Sequence, residues 1–160
     1  MSEERKVAII TGSSQGLGAS IAIKLSQRNI NLVINYSNNK DMALKIKDEC
    51  VNNGVEAITV QADVSSDDDC KKLVQETINT FGKVDILVNN AGTTKFADHS
   101  KLDKLSDEDF INIYKVNVIG PYQMIRAVEP IMKKNGFGSV VNISSIAGKT
   151  GIGSSIAYAA

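Results

Sequence analysis

The sequence predicts an α/β fold, a doubly wound parallel sheet with helices on both faces. Three observations carry this. Short apolar runs of strand length alternate with longer stretches of helical patterning, which is the pattern of right-handed βαβ units. The first apolar run passes directly into a glycine-rich turn, Thr11-Gly12-Ser13-Ser14-Gln15-Gly16-Leu17-Gly18, that opens a helix. No internal repeat, low-complexity tract or long linker interrupts the 160 residues, so one domain with a sizeable core is expected.

Val7-Ala8-Ile9-Ile10 is the first strand, and the first helix runs from about Gly16 to Arg28. Asn31 to Asn35 reads as the second strand, followed by a helix from Lys40 to Asn53 with Met42, Leu44, Ile46 and Val51 among its apolar residues. Ile58-Thr59-Val60 forms the core of a third strand that ends at Asp63. Ser65-Ser66 ahead of Asp67-Asp68-Asp69 supplies an N-cap and first-turn acids, both favourable at a helix N-terminus. That helix reaches about Phe81, with Leu73, Val74 and Ile78 on its core side, and Val84 to Val88 is the fourth strand.

Thr93 to Leu105 is polar and weakly patterned, a loop near a site mouth. It contains His99, the single histidine, read as a solvated loop residue without a catalytic part. Ser106 to Asp109 is an N-cap signal for a long helix whose stripe is Phe110, Ile113, Tyr114, Ile125, Val128 and Met132. Pro121 interrupts it and has no N–H for the carbonyl of Asn117, four residues earlier. Such a site is either a structural kink or a place where a water meets the free carbonyl. Ser139 to Ile143 is the fifth strand, with Ser144-Ser145 at its end, a glycine-marked loop through Gly148, Gly151 and Gly153, and then Tyr158. The expected strand order is 3-2-1-4-5.

Composition removes several function classes. The 18 basic residues balance the 18 acidic ones, so there is no electrostatic footprint for nucleic acid or an anionic membrane. No apolar run approaches the roughly 20 residues of a bilayer span. The charged start, Met1 to Lys6, lacks the apolar segment of a signal peptide. Cys50 and Cys70 fall in helical stretches without CxxC spacing and read as free thiols of a reducing cytoplasm, not as a disulfide or metal site.

The glycine turn has the context of a dinucleotide fingerprint: strand, turn, helix. Gly12 can turn sharply off the strand, Gly16 allows backbone to approach a pyrophosphate, and Gly18 allows the helix to pack close to the sheet. The helix N-terminus then offers free N–H groups and partial positive charge to phosphates. An NAD site of this kind usually places an acid about 20 residues beyond the glycines. Here the second strand ends in Asn35-Tyr36-Ser37-Asn38-Asn39, with no carboxylate before Asp41. Nothing there repels a 2′-phosphate, so NADP is favoured, with NAD still open. The cationic side is thin too: Gln15 stands in the turn and Lys40 is the nearest cation.

Several motifs in order carry a resemblance. They are Thr-Gly-x3-Gly-x-Gly from Thr11, Asn89-Asn90-Ala91-Gly92 after the fourth strand, Asn117-Val118-Ile119-Gly120, and Ser145 thirteen residues before Tyr158. Together they resemble the short-chain dehydrogenase/reductase family, over almost all of this chain. The resemblance implies a Rossmann-like fold and a nicotinamide cofactor. It implies cofactor contacts at Gly12, Ser14, Gln15, Gly16, Leu17, Gly18, Asn35, Asp63, Val64, Asn90, Ala91, Gly92 and Tyr158. Asp63 could equally be a loop acid at a helix start, and Asn89 to Gly92 an asparagine-rich turn.

The resemblance also implies a catalytic set of Asn117, Ser145 and Tyr158, with no metal. A tyrosine hydroxyl can protonate a developing alkoxide while a serine hydroxyl holds the carbonyl oxygen, and the family asparagine holds the water of a proton relay. The motifs look most like β-ketoacyl-acyl-carrier-protein reductases, which implies a small or acyl-carrier-bound carbonyl substrate and a homo-oligomer at full length. Glucose dehydrogenase-like sugar oxidation and a catalytically inactive dinucleotide-binding fragment are the alternatives. One departure stands out. The family lysine would fall at position 162, one helical turn after Tyr158, and the segments that usually close the substrate pocket would lie beyond Ala160. Residues 1–160 by themselves are therefore expected to form the cofactor domain with little or no turnover.

Overall fold

The computed structural model describes residues 5–160. Of the charged stretch Met1 to Lys6, read as lacking a signal-peptide segment, Met1 to Glu4 lie outside the described residues.

Five parallel strands form one sheet in the order β3-β2-β1-β4-β5: β1 (Val7–Ile10), β2 (Asn31–Tyr36), β3 (Ala57–Gln61), β4 (Ile86–Asn89) and β5 (Ser139–Asn142). The central strand β1 sets the register for both sides, with Ile10 opposite Ile34 of β2 and Val88 of β4. Its four residues are all buried. A strand buried on both faces reads as an unbroken apolar run, and here alternate side chains feed two separate cores. Val7 and Ile9 join Val33 and Leu87 against Leu73, Val74, Met124 and Val128. Ala8 and Ile10 join Leu32, Ile34 and Val88 against Ala22, Ala43 and Cys50.

The helices supply those two layers: α1 (Gly16–Ser26) and α2 (Lys40–Asn52) on one face, α3 (Asp67–Phe81) and α5 (Gly120–Asn135) on the other. α4 (Asp107–Tyr114) leads into α5. Their N-termini are set by local chemistry. Asn39, Ser66 and Ser106 each cap a helix by accepting a backbone N–H, and Ser106 with Asp109 forms a full capping box. The α3 cap is Ser66 rather than Ser65, because Ser65 is used in a turn in which its N–H donates to Asp63.

Two expectations change. The long helix from Ser106 is not a kinked single helix. It is α4 and α5 joined by a π-helical turn, Lys115–Ile119, in which the Gly120 N–H reaches back to the carbonyl of Lys115. Pro121 sits in the first turn of α5, directly after the π turn, and its missing N–H leaves the Asn117 carbonyl without that helical donor. The glycine-marked stretch after Ser145 is also more ordered than a loop. It holds α6 (Ala147–Thr150) and α7 (Ile156–Ala159), the latter capped by Ser155. No helix among the described residues is long and apolar enough to cross a membrane.

Candidate active site

The carboxyl ends of β1, β2, β3 and β4 border one cleft of about 660 Å3, the edge at which ligands of open α/β sheets bind. Its first wall is the glycine turn. Gly12 has φ +62°, and a Cβ there would stand 2.9 Å from the Cα of Ala91. The turn is held from below by Asn35, which is 2% exposed. Asn35 Oδ1 accepts the Gly12 N–H at 2.9 Å, and its Nδ2 donates to the carbonyls of Ala62 at 3.0 Å and Val60 at 3.3 Å. One buried amide thus locks the ends of β1, β2 and β3 together.

The second wall is Asn90-Ala91-Gly92, fastened by a residue that the sequence reading leaves without a role. Thr11 Oγ1 accepts the N–H groups of both Asn90 and Ala91 at 3.0 Å. Asn90 Nδ2 returns the contact to the carbonyls of Thr11 and Gly12. Gly18 lies beneath this joint: a Cβ there would come within 2.7 Å of the Gly12 oxygen and 2.9 Å of the Ser13 Cα. Thr11 could have been noticed as the hydroxyl that opens the glycine turn.

The far end is formed by Tyr36, Ser37 and Asn38 on one side and Gln61 to Val64 with Lys72 on the other. Asp63 is held in place by its own helix start: its N–H donates to Asp69, and its Oδ1 accepts the Ser65 N–H. Behind it the Val64 carbonyl accepts from buried Gln123 at 2.8 Å. Gly120 fits against Val64 so closely that a Cβ would be 2.9 Å from Val64 Cγ2. Gln123 and Lys72 carry no motif, and their part depends on helix packing.

Of the residues expected at the cofactor, Gly12, Ser14, Gln15, Gly16, Asn35, Asp63, Val64, Asn90, Ala91 and Gly92 line this cleft. Gly18 acts from beneath it, and Leu17 is 56% exposed and outside its lining. The helix above the cleft differs from its neighbours. Gln15 gives α1 no side-chain cap and its first turn has no acid, whereas α2, α3 and α4 have both. Its first N–H groups are left for a phosphate-like acceptor, so the residues present fit a dinucleotide.

The three expected catalytic residues lie beyond the β4 end of the cleft, which extends to Thr93 and Val116. Asn117 presents its side chain to Thr93. Its Oδ1 accepts the Thr93 N–H at 2.8 Å, and its Nδ2 donates to the Thr93 carbonyl at 2.9 Å. The Asn117 carbonyl has no N–H to receive from Pro121. Past Thr93 the loop crosses to the other side. Thr94 and Ser154 share a short hydroxyl hydrogen bond, and the Ala97 N–H donates to the Ser154 carbonyl. Ser154 adjoins Gly153, where a Cβ would stand 3.4 Å from the ring of Tyr158 and 2.9 Å from Ala147. The Ala147 N–H in turn donates to Ser145 Oγ at 3.1 Å. These contacts link the loop held by Asn117 to the segment that carries Ser145 and Tyr158, and Asn117, Ser145 and Tyr158 are not part of the cleft lining.

His99 needs a correction in part: it lies in the loop as expected but is half-buried rather than fully solvated, with its Nε2 buried and without a hydrogen-bond partner. The two cysteines are free thiols, as expected, and both are buried. Burial pushes the Cys70 thiol up to about 12 and raises Cys50 as well. Among the described residues no cluster could hold a metal ion.

Comparison with known proteins agrees with this fold. The short chain dehydrogenase family model matches residues 6–160. The 3-oxoacyl-[acyl-carrier-protein] reductase FabG of Staphylococcus epidermidis is 36% identical over 146 residues, which is 91% of this chain and 59% of that protein. A metagenomic short-chain oxidoreductase solved in complex with NADP superposes with a TM-score of 0.87 at 32% identity, covering 96% of this chain and 67% of the other. NAD+-bound xylitol dehydrogenase gives a TM-score of 0.89 at 27% identity, covering 99% and 60%. The chain spans about three fifths of the length of the curated relatives it matches. It is a member of the short-chain dehydrogenase family.

Proposed function

We propose that this chain is the cofactor-binding and catalytic part of an NADPH-dependent reductase. Its substrate is a ketone of the 3-oxoacyl type, small or carried on an acyl-carrier protein, and its product is a secondary alcohol. The observation that carries the reading is the uncapped, acid-free N-terminus of α1 above a cleft whose β2 end, Tyr36-Ser37-Asn38, offers hydroxyl and amide groups and no carboxylate. The likeness to FabG reductases supports the substrate class.

The nicotinamide, when bound, supplies the hydride. The chain's own residues handle the oxygen and the proton. Ser145 Oγ already accepts the Ala147 N–H, which leaves its hydroxyl hydrogen free to donate to the substrate carbonyl oxygen. Tyr158 donates the proton to that oxygen as it gains negative charge. Asn117, fixed through its side chain on Thr93, offers its backbone carbonyl to a water on the proton's route. Residues 1–160 by themselves are expected to bind cofactor with little turnover, since the tyrosine's lysine partner would fall at position 162. The active protein works in the cytoplasm as a homo-oligomer.

A second reading, NAD-linked oxidation of a sugar or polyol, is favoured by the similarity to NAD+-bound xylitol dehydrogenase. Fluorescence titration with both reduced cofactors separates the two. NADPH is expected to bind at least tenfold more tightly than NADH, a difference of about 1.4 kcal/mol. A tenfold preference for NADH rejects the first reading, and binding of neither rejects both.

A further inference from the structure

The charged groups that line the cofactor cleft are two carboxylates, Asp63 and Asp69, and one ammonium, Lys72. All three belong to the far end, which Tyr36, Ser37 and Asn38 complete from the β2 side. Gln61 Nε2 donates to the Ser37 carbonyl at 2.8 Å, so one side-chain hydrogen bond joins the exits of β2 and β3. Lys40, the cation next to this end in sequence, starts α2 and is outside the lining. Lys72 is put there by α3. Cys70, Leu73, Val74 and Thr77 form the buried side of that helix. Asp69 and Lys72, three residues apart and so on one face, flank the cleft. The backbone holds both carboxylates: Asp69 Oδ2 accepts the Asp63 N–H at 2.8 Å, and Asp63 Oδ1 accepts the Ser65 N–H at 2.9 Å. Lys71 takes the ion pairs with Asp67 and Asp68. Among the described residues Lys72 enters no ion pair.

We propose that Lys72 is the residue that selects NADPH over NADH, by pairing its ammonium with the 2′-phosphate of the adenosine ribose. This rests on the NADPH-dependent reading above and names the cation that serves it. A phosphate monoester carries a charge of about −1.5 to −2 near neutrality. Ser37 and Asn38 offer it neutral donors, which orient a phosphate but leave its charge uncompensated. Asp63 and Asp69 repel it. Lys72 is the group of the lining that reverses that balance, and no carboxylate competes for it in an ion pair. Its ammonium is a compact charge on a flexible four-carbon stem, so it reaches a phosphate by the side-chain rotation that is common on binding. The ribose hydroxyl of NADH has no charge to meet, so Lys72 acts on the choice between the cofactors and not on dinucleotide binding in general. Because Lys72 is exposed, salt screens the pair.

The test is calorimetric titration of the chain and its variants with NADPH and NADH at low salt, with circular dichroism to confirm the fold of each variant. In Lys72→Met the NADPH affinity should fall about tenfold, the equivalent of one charge-assisted hydrogen bond, while NADH affinity changes less than about twofold. Lys72→Arg keeps a cation and should retain the preference. Lys40→Met should bind both cofactors as the parent does. Added salt should weaken NADPH binding more in the parent than in Lys72→Met. A parallel titration with 2′,5′-ADP and 5′-AMP, which lack the nicotinamide, should show the same loss for the first and not for the second. The proposal is overturned if Lys72→Met binds NADPH as tightly as the parent, or if Lys40→Met is the variant that loses NADPH. It is overturned equally if NADPH and NADH weaken together in Lys72→Met, since Lys72 would then meet a group that both cofactors carry. The parent titration separates the causes. An NADPH preference that survives in Lys72→Met removes this inference alone, whereas a parent without that preference removes the NADPH reading and this inference with it.

Discussion

Val7 to Ile10 and Val140 to Ile143 are similar apolar runs, and they end in opposite environments. Val7, Ala8, Ile9 and Ile10 are at most 2% exposed, while Val140, Val141 and Ile143 are 40%, 45% and 40% exposed. The first run is the central strand between β2 and β4, and the second lies at the margin of the sheet beyond β4. Burial here is a property of position in the sheet, not of the run itself. The difference divides the site as well. The cofactor cleft stands on the buried strands and is fastened by buried amides and hydroxyls. Ser145 lies between β5 and the four-residue α6, and Tyr158 lies in the four-residue α7; Ser154 ties this segment to Thr94 and Ala97 of the loop after β4, which Lys95 fastens to α4.

The sharpest test of that comparison makes one substitution in both places. Ile9→Ala removes a fully buried side chain from the core of the β1 strand and is expected to cost about 2–5 kcal/mol. Ile143→Ala, just past β5, is expected to cost under about 1 kcal/mol. Chemical denaturation followed by circular dichroism measures both. Similar losses at the two sites would mean that the margin is covered in solution. An exposed apolar strand at a sheet margin also invites pairing with another chain. Val141→Lys should therefore reduce self-association in analytical ultracentrifugation while leaving the unfolding midpoint nearly unchanged.

Within the buried half, the joint beneath the glycine turn should be sensitive to a single methyl group. Gly18→Ala places a Cβ against the Gly12 carbonyl and the Ser13 backbone, groups that cannot move without opening the turn. A loss of roughly 1–3 kcal/mol is expected, together with at least tenfold weaker NADPH binding by fluorescence. Asn35→Ala strands the Gly12 N–H and frees two carbonyls, also at roughly 1–3 kcal/mol. If either variant binds NADPH normally, the cleft does not depend on the geometry of the Gly12 turn.

The two halves were not equally legible in the sequence. The first five apolar runs, the strand order and the glycine turn could be read because each depends on local pattern and short connections. Asn35 was legible as a residue at the site but not as the clamp it is. Its three partners lie 23, 25 and 27 residues away, and no periodicity reports such contacts. Thr11 and Gln123 were missed for the same reason. At the margin even local structure was obscured. Gly148, Gly151 and Gly153 suggested an open loop, yet Gly151 at φ +69° ends α6 and Gly153 makes room for Tyr158 and Ala147. The π turn escaped notice because Pro121 predicted a break in the helix, and the chain absorbed it with one residue more per turn. His99 was read as solvated because its loop is polar, while its surroundings come from Ile152 and Ser154, more than 50 residues later.

The smallest expected effect concerns the ties of the margin itself. Lys95, on the loop, pairs with Asp109 in the first turn of α4 at 2.6 Å. That ammonium, helped by the Ser106 N–H, lowers the Asp109 carboxyl to about 2. A carboxyl whose pKa is depressed in the folded state stabilises it at pH values above its unfolded pKa, about 3.9. That contribution is lost as pH falls from about 4 through about 2, and it is constant around neutrality. The pair is solvent-screened, so its contribution is small, and the titration itself is the better observable. In Lys95→Met, Asp109 keeps the Ser106 N–H and hydroxyl but loses its largest stabiliser, so its midpoint should rise from about 2 toward the ordinary carboxylate range. Carbon-detected NMR of the side-chain carboxyl across pH 1.5–6 reads this directly. The His99 imidazole signals should move in the same variant, because the loop that carries His99 loses one of its anchors. An unchanged Asp109 midpoint would mean that the capping box alone holds the carboxylate. The loop would then be fastened by Asn117 and Ser154 without Lys95.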